Sequence, residues 1–207
     1  LSISCGVKGG NRSISDVLMG EVSIGKILWE IQPGLYLAPS DLRLTQVELV
    51  LVGKLGRENI LKRSLNALAD VLELDYCLID CPPSLNLLTI NGLVAADEVI
   101  IPTKPEFLGR QALIPLMETI QEVKDNINPA LKILGILPTF CNSRLKHHMA
   151  IISEWKEAKY PVIGVQIGQT IRAAEAPLLS KSIVEYAPKS RVSEEYRRLA
   201  EIIDQAE

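Results

Sequence analysis

Aromatic residues are scarce in this chain: Phe, Trp and Tyr make up 4% of its 207 residues. The core must therefore be built from Leu, Ile, Val and Ala. No apolar run approaches the about 18 residues needed to cross a bilayer, and no signal peptide is expected. Cysteine is equally sparse. Cys5, Cys77, Cys81 and Cys141 form no C-x-x-C pair and no zinc spacing, which excludes a disulfide scaffold and favours a reduced, cytoplasmic setting. Positive charge is not in excess: 22 Lys and Arg face 25 Asp and Glu, for a net charge of −3. That balance argues against a generally basic nucleic-acid binder and leaves only local basic patches. Repeats, linkers and low-complexity tracts are absent, so the sequence reads as one domain over 1–207.

What is present fits a soluble globular chain, 47% hydrophobic and 23% charged. Ser13 and Asp16 offer a capping box and Gly20 a stop, which predicts a short helix between them. Pro33-Gly34 turns into a short strand over 35–38, stopped by Pro39. Asp41 is expected to cap a helix through about Val52. A second helix is predicted over 57–74, with Ile60, Leu61, Leu65, Leu68 and Leu72 as its buried stripe. Further strands are predicted at 76–79, 98–102, 132–138 and 162–167. Helices are predicted at 85–96, 107–126 (bending at or tolerating Pro115), 144–159, 171–179 and 194–206, the last with Tyr196, Leu199, Ile202 and Ile203 facing inward. Strands alternating with helices give an α/β fold, a mostly parallel sheet with helices on both faces. Lys132–Pro138 is continuously apolar, as a strand buried on both faces requires.

The organising stretch is Asp75-Tyr76-Cys77-Leu78-Ile79-Asp80-Cys81-Pro82-Pro83-Ser84-Leu85. An apolar strand over 76–79, with Cys77 and Cys81 on or beside it as small hydrophobes, would deliver Asp80 at its carboxyl end. Ligands of open α/β sheets bind there. Pro82 and Pro83 forbid continuation of the strand, and Ser84 can cap the following helix. Asp80 reads equally as a Mg²⁺ partner and as a turn initiator before the proline pair.

This segment resembles the Walker B and switch II region of the ParA family, the deviant Walker ATPases that partition plasmids and chromosomes. The likeness continues through Ala95-Ala96-Asp97-Glu98-Val99-Ile100-Ile101-Pro102, Pro105-Glu106, Ile133-Leu134-Gly135-Ile136-Leu137, Asn142-Ser143-Arg144 and Arg172-Ala173-Ala174-Glu175-Ala176-Pro177. It implies a P-loop NTPase fold and an ATPase binding ATP and Mg²⁺. Asp80 would meet Mg²⁺, through water, and Pro82, Pro83 and Ser84 would form the γ-phosphate switch. Asn142 and Arg144 would line the base, with Glu106, Arg172 and Glu175 also near the nucleotide or a dimer surface. Asn142 reads equally as an Asx turn. The resemblance further implies a homodimer, a ParB-type partner and nonspecific DNA binding. Arg144, Lys146, Lys181, Lys189 and Arg191 are the candidate phosphate contacts, although ordinary solvated helix faces are the leading reading of both basic stretches. The adjacent His147 and His148 lack the i,i+4 spacing of a helical metal site. Localisation would be cytoplasmic, nucleoid-associated if DNA binding is retained.

Two departures qualify the likeness. Lys8-Gly9-Gly10 continues as Asn11-Arg12-Ser13 rather than as the family's K-G-G-x-G-K-[ST], so its reading is a flexible turn and not a phosphate loop. The chain also begins with Leu, and by comparison with the family it enters the fold late, without the N-terminal strand, P-loop, helix and second strand. Ile167-Gly168-Gln169-Thr170 stands where the family often has I-P-R-N. The expectation is a ParA-type ATPase whose 207 residues bind ATP weakly or not at all. The alternatives are a non-enzymatic interaction module with this fold and a MinD-like division-site regulator. The acidic end Asp204-Gln205-Ala206-Glu207 disfavours the last, since that subgroup ends in a basic amphipathic helix, and no membrane association is expected.

Overall fold

A computed structural model describes the whole chain except Leu1, Ile3, Lys8, Gly9, Asn11, Ser143, Ala206 and Glu207. Lys8, Gly9 and Asn11 of the predicted turn and the last two residues of the acidic tail therefore lie outside the described residues. The fold divides into two compact units, Leu1–Asp97 with Val123–Pro129 and Glu98–Glu122 with Ala130–Glu207.

The first unit begins with helix α1 (Ile14–Met19), capped as its sequence requires. Ser13 accepts from the Ser15 N–H, Asp16 accepts from the Ser13 N–H at 2.7 Å, and Gly20 closes the helix in the left-handed conformation. Strands β1 (Trp29–Gln32) and β2 (Leu35–Leu37) form an antiparallel hairpin across Pro33-Gly34. The sequence reading found only β2. Helix α2 (Leu44–Leu51) starts later than expected; the Asp41 carboxylate accepts from the Arg43 N–H at 3.0 Å in the turn that leads into it, rather than from a residue within the helix. That carboxylate also binds the Arg43 side chain and the Ser15 hydroxyl. Helix α3 (Ile60–Ala69) is preceded by a 3₁₀ turn and ends five residues short of the predicted Leu74. Leu61 and Leu68 are buried and Ile60, Leu65 and Leu72 pack beside them, so the predicted stripe holds.

Asp16 ties this unit together. Its carboxylate, 7% exposed, takes two Arg43 hydrogen bonds at 2.9 and 2.8 Å. Those bonds hold its pKa down at about 2, against 3.8 normally. A folded pKa below the unfolded one contributes stability at neutral pH that is lost as pH falls from about 4 toward 2. Asp16→Asn should cost about 1–2 kcal/mol at pH 6. Urea unfolding of both proteins should show that difference shrinking toward zero by about pH 2.

The organising stretch departs from expectation. Residues 76–82 have no regular secondary structure and join no ladder, so the predicted strand is absent among the described residues. Ile79 packs against the cluster of Leu18, Val47, Leu51 and Leu61, whereas Leu78 is 86% exposed. An apolar run favours extension, but a strand also needs a neighbouring strand to pair with, and among the described residues no strand pairs with this segment. Cys77 and Cys81 are exposed rather than buried. Helix α4 (Leu87–Ala95) is capped by Asn86, which accepts from the Thr89 N–H; Ser84 is not the cap. The Ser84 and Pro82 carbonyls instead receive the Thr89 hydroxyl, fixing the proline corner to the helix.

The second unit holds the parallel sheet. Strand β3 (Glu98–Thr103) pairs with β4 (Lys132–Pro138), from Glu98 opposite Lys132 to Thr103 opposite Pro138. Helix α5 (Phe107–Asn126) connects them and keeps Pro115 in its interior. The predicted strand over 162–167 runs parallel beside β4 through bridges and hydrogen bonds (Ile163 N–H to Ile136, Ile167 N–H to Pro138) without a continuous ladder. Helix α6 (Lys146–Glu157) buries His148, Ile151, Ile152 and Trp155, the i, i+3, i+4, i+7 stripe of an amphipathic helix. Helices α7 (Ile171–Glu175) and α8 (Ile183–Tyr186) are short, and α8 was not expected from sequence. Helix α9 (Arg191–Asp204) starts at a Ser190 cap and places Val192 and Leu199 in the cluster of Leu137, Ile163, Val165 and Ile167. Ile202 and Ile203 pack against that cluster, but Tyr196 is 41% exposed and does not face inward. The α/β class and the parallel β3–β4 pairing agree with the sequence.

Candidate functional site

The sequence directs attention to the carboxyl ends of the strands, and the second unit opens two clefts there. The larger, about 680 Å³, lies past β4 and the 162–167 segment. Cys141, Asn142, Arg144, Gly168, Ile171 and Arg191 contribute to its walls. Phe140 turns the chain into it at φ 51, a left-handed conformation unusual for a bulky residue. The Cys141 N–H then donates to the Ile167 carbonyl at 2.9 Å, which fixes the two strand ends side by side. Burial pushes the Cys141 thiol up from its ordinary value, so it behaves as an inert small hydrophobe.

Asn142 forms an Asx turn, its Oδ1 accepting from the Arg144 N–H at 3.1 Å. The amide nitrogen is then the end available to a ligand. Both sequence readings of this residue are compatible, since the turn holds the side chain at the cleft. The opposite wall is held by Glu195, whose Oε2 accepts from the Gly168 N–H at 2.7 Å and whose Oε1 accepts from Arg191 Nε at 2.6 Å. Glu195 was not singled out from sequence, because a Glu one helical turn after an Arg reads as a surface pair. Its 13% side-chain exposure and the backbone contact across the chain reveal its role.

The second cleft, about 470 Å³, is lined by Glu106, Phe107, Leu108, Leu145, Lys146, His147 and His148. Lys104 hydrogen-bonds Glu106 at 2.8 Å and holds its carboxyl below the usual range. Among the described residues no group of three His, Cys, Asp or Glu could cage a metal ion.

The predicted residues are thus distributed. Asn142, Arg144 and Arg191 share the larger cleft; Glu106 and Lys146 share the smaller. Arg172 is exposed on α7 beside Ile171, and Glu175 accepts the Tyr186 hydroxyl at 3.2 Å, which raises the phenol's pKa. Lys181 and Lys189 are exposed. Asp80, Pro82, Pro83 and Ser84 belong to the first unit, where Asp80 is exposed, so a hard cation has access to it.

Residues 2–133 match a family described as an AAA domain. An uncharacterised protein of Mycobacterium tuberculosis is 38% identical over 198 residues, covering 94% of this chain and 62% of its own length. The chain therefore spans less than two thirds of that relative. The chromosome partitioning protein ParA of Caulobacter vibrioides is 35% identical over 193 residues, 91% of this chain and 71% of that protein. Among solved structures, the cobyrinic acid a,c-diamide synthase of Mycobacterium smegmatis, crystallised with an ATP analogue and magnesium, aligns with a TM-score of 0.80. It is 34% identical, over 92% of this chain and 71% of its own. This chain belongs to the ParA family of P-loop NTPases, the ParA/MinD-like branch to which its proline corner and strand-end residues had pointed.

Proposed function

We propose that the chain belongs to a ParA-type ATPase of plasmid or chromosome partitioning. The observation that carries this reading is the cleft of Asn142, Gly168 and Arg191 at adjacent strand ends, joined to a family whose relatives include a chromosome partitioning protein. Its volume of about 680 Å³ suits a purine nucleoside. Asn142 would present its amide to the base, and the Glu195–Gly168–Arg191 contacts would keep the facing wall in place. Asp80 would hold Mg²⁺ through water. A single exposed carboxylate fits that ion, which keeps most of its waters and takes its other ligands from phosphates rather than from a protein cage. ATP, when bound, supplies the phosphoryl group, and catalysis in this class is mostly positioning and neutralisation of phosphate charge. In this reading the protein forms a homodimer, meets a ParB-type partner and binds DNA phosphates through Arg144, Lys146, Lys181 and Lys189. Arg191 is the weakest of the proposed DNA contacts, since Glu195 already engages its guanidinium.

The motif K-G-G-x-G-K-[ST] does not occur in the 207 residues. The base end of the site is therefore better provided for than the phosphate end. Titration calorimetry with ATP and Mg²⁺ should give no micromolar binding by these residues. The same experiment after fusing the family's phosphate-loop segment upstream should restore it. Micromolar binding by the 207 residues alone would refute the weak-binding expectation, and failure of the fused chain would refute the nucleotide reading.

A further inference from the structure

His148 is 5% exposed, in the first turn of α6; its ring lines the smaller cleft and reaches the larger one only through the backbone of Asn142. On one side Nδ1 accepts the Asn142 backbone N–H at 3.3 Å. An accepting Nδ1 carries no proton, so the ring hydrogen sits on Nε2. On the other side Nε2 lies 3.9 Å from Glu106 Oε1, the oxygen that Lys104 also reaches at 2.8 Å. A buried imidazole with one nitrogen committed to the backbone of a ligand-facing loop is a fixed support while neutral. When it is protonated the same geometry opposes two donors.

We infer that His148 is the positioning residue of the Asn142 loop, a latch that holds the larger cleft in its binding shape while neutral and releases it on protonation. The inference rests on the base-binding reading only for what the loop then does to a ligand. The elements that meet at the ring also carry charged groups. Glu106 and Lys104 follow β3, Arg144 follows β4, and Lys146 and His147 belong to α6, where the two imidazoles meet edge to face at 6.4 Å. The Arg110–Glu154 pair, at 3.3 Å, joins α5 to α6. Of these, only His148 contacts the Asn142 amide. Neutral His148 latches the loop; an imidazolium has no acceptor nitrogen left for the Asn142 N–H, so protonation of the ring opens the latch.

The test is nitrogen-15 NMR of the 207-residue chain from pH 8 to 5. The Asn142 amide should shift in step with the His148 ring, and its exchange protection, corrected for intrinsic rate, should fall about tenfold. His148→Phe should remove the step and leave the amide unprotected throughout, whereas His147→Ala should leave it intact. His148→Gln, which keeps a neutral acceptor, should hold the amide protected at every pH and covers the case in which the Phe variant fails to fold. An Asn142 amide that stays flat while His148 titrates, or a step that persists in His148→Gln, overturns the latch. Adenosine added at millimolar concentration should move the Asn142 and Gly168 amides at pH 7.5, about fivefold more weakly at pH 5.5, and with no such weakening in His148→Gln. If adenosine moves neither amide at any pH, the base reading fails, and the amide step alone decides the latch.

Discussion

Replacing Asn128 by Asp is expected to destabilise the protein by about 3–5 kcal/mol at neutral pH. Asn128 is 4% exposed, and its Nδ2 lies 3.1, 3.3 and 2.8 Å from the carbonyls of Leu93, Val94 and Ala96. These are the last carbonyls of α4 and its cap, which have no partner further along their own helix. One amide from the returning segment Val123–Pro129 therefore closes the end of the helix that follows the proline corner. A carboxylate at this position would face three carbonyl oxygens with no hydrogen to offer. Asn128→Ala should be milder, about 1–3 kcal/mol, because it removes the donor without adding charge. The two mechanisms separate by pH. Surrounded by acceptors, the introduced Asp has a folded pKa above its unfolded one. Its penalty is therefore full well above the folded value and disappears below the unfolded one. Urea unfolding at pH 7 and pH 4 should show the Asp variant recovering toward the Ala variant, whose own loss stays constant. Equal losses for both variants at pH 7 would show that charge plays no part.

Such long-range contacts mark where the sequence stops being readable. Periodicity located α5 and β4 within a residue or two, because a 20-residue helix and a seven-residue apolar strand carry their own signal. The capping box of α1 was equally plain, being a contact between residues three apart. The segment 76–79 has strand composition but no neighbouring strand among the described residues, and pairing is a property of two segments. Strand β1 was missed although Pro33-Gly34 marked its turn and Trp29-Glu30-Ile31-Gln32 alternates apolar with polar, because four residues, three of them exposed, are a short window for that signal. Ser84 lost the cap of α4 to Asn86 because two prolines and a bend carry the chain past Ser84 before it can coil.

The site was legible to a similar depth. Asn142 and Arg144 follow the end of β4 and line the larger cleft, a position that a local strand signal is enough to reveal. The residues that hold the site were not. Glu195 reaches Gly168 from 27 positions away, and His148 reads as one of an adjacent polar pair until its burial beneath the Asn142 loop is seen. A histidine on the same helical stripe as Ile151, Ile152 and Trp155 is the signal that could have found it, because that stripe faces inward.

Trp155 is the largest side chain on that stripe, and Trp155→Ala is expected to cost about 3–5 kcal/mol. The indole is 2% exposed, so truncation leaves a cavity that the flanking Ile151 and Ile152, one turn back on a rigid helix, can fill only in part. Trp155→Phe should behave very differently. The indole Nε1 is buried with no hydrogen-bond partner among the described residues, a desolvation cost that the native protein carries. Phenylalanine keeps most of the apolar volume and removes that donor, so its loss should be about 1 kcal/mol or less. Thermal unfolding of the two variants therefore separates packing from polarity at one position; equal losses would mean that the nitrogen has a partner in solution. The consequence reaches the larger cleft, because α6 is anchored by this side chain at one end and carries His148 at the other. In Trp155→Ala the exchange protection of the Asn142 amide should fall along with global stability, whereas in Trp155→Phe both should stay near wild type. Were the Ala variant to keep full protection at Asn142, the loop would draw its order from its own Asx turn and the Ile167 contact rather than from the seating of α6.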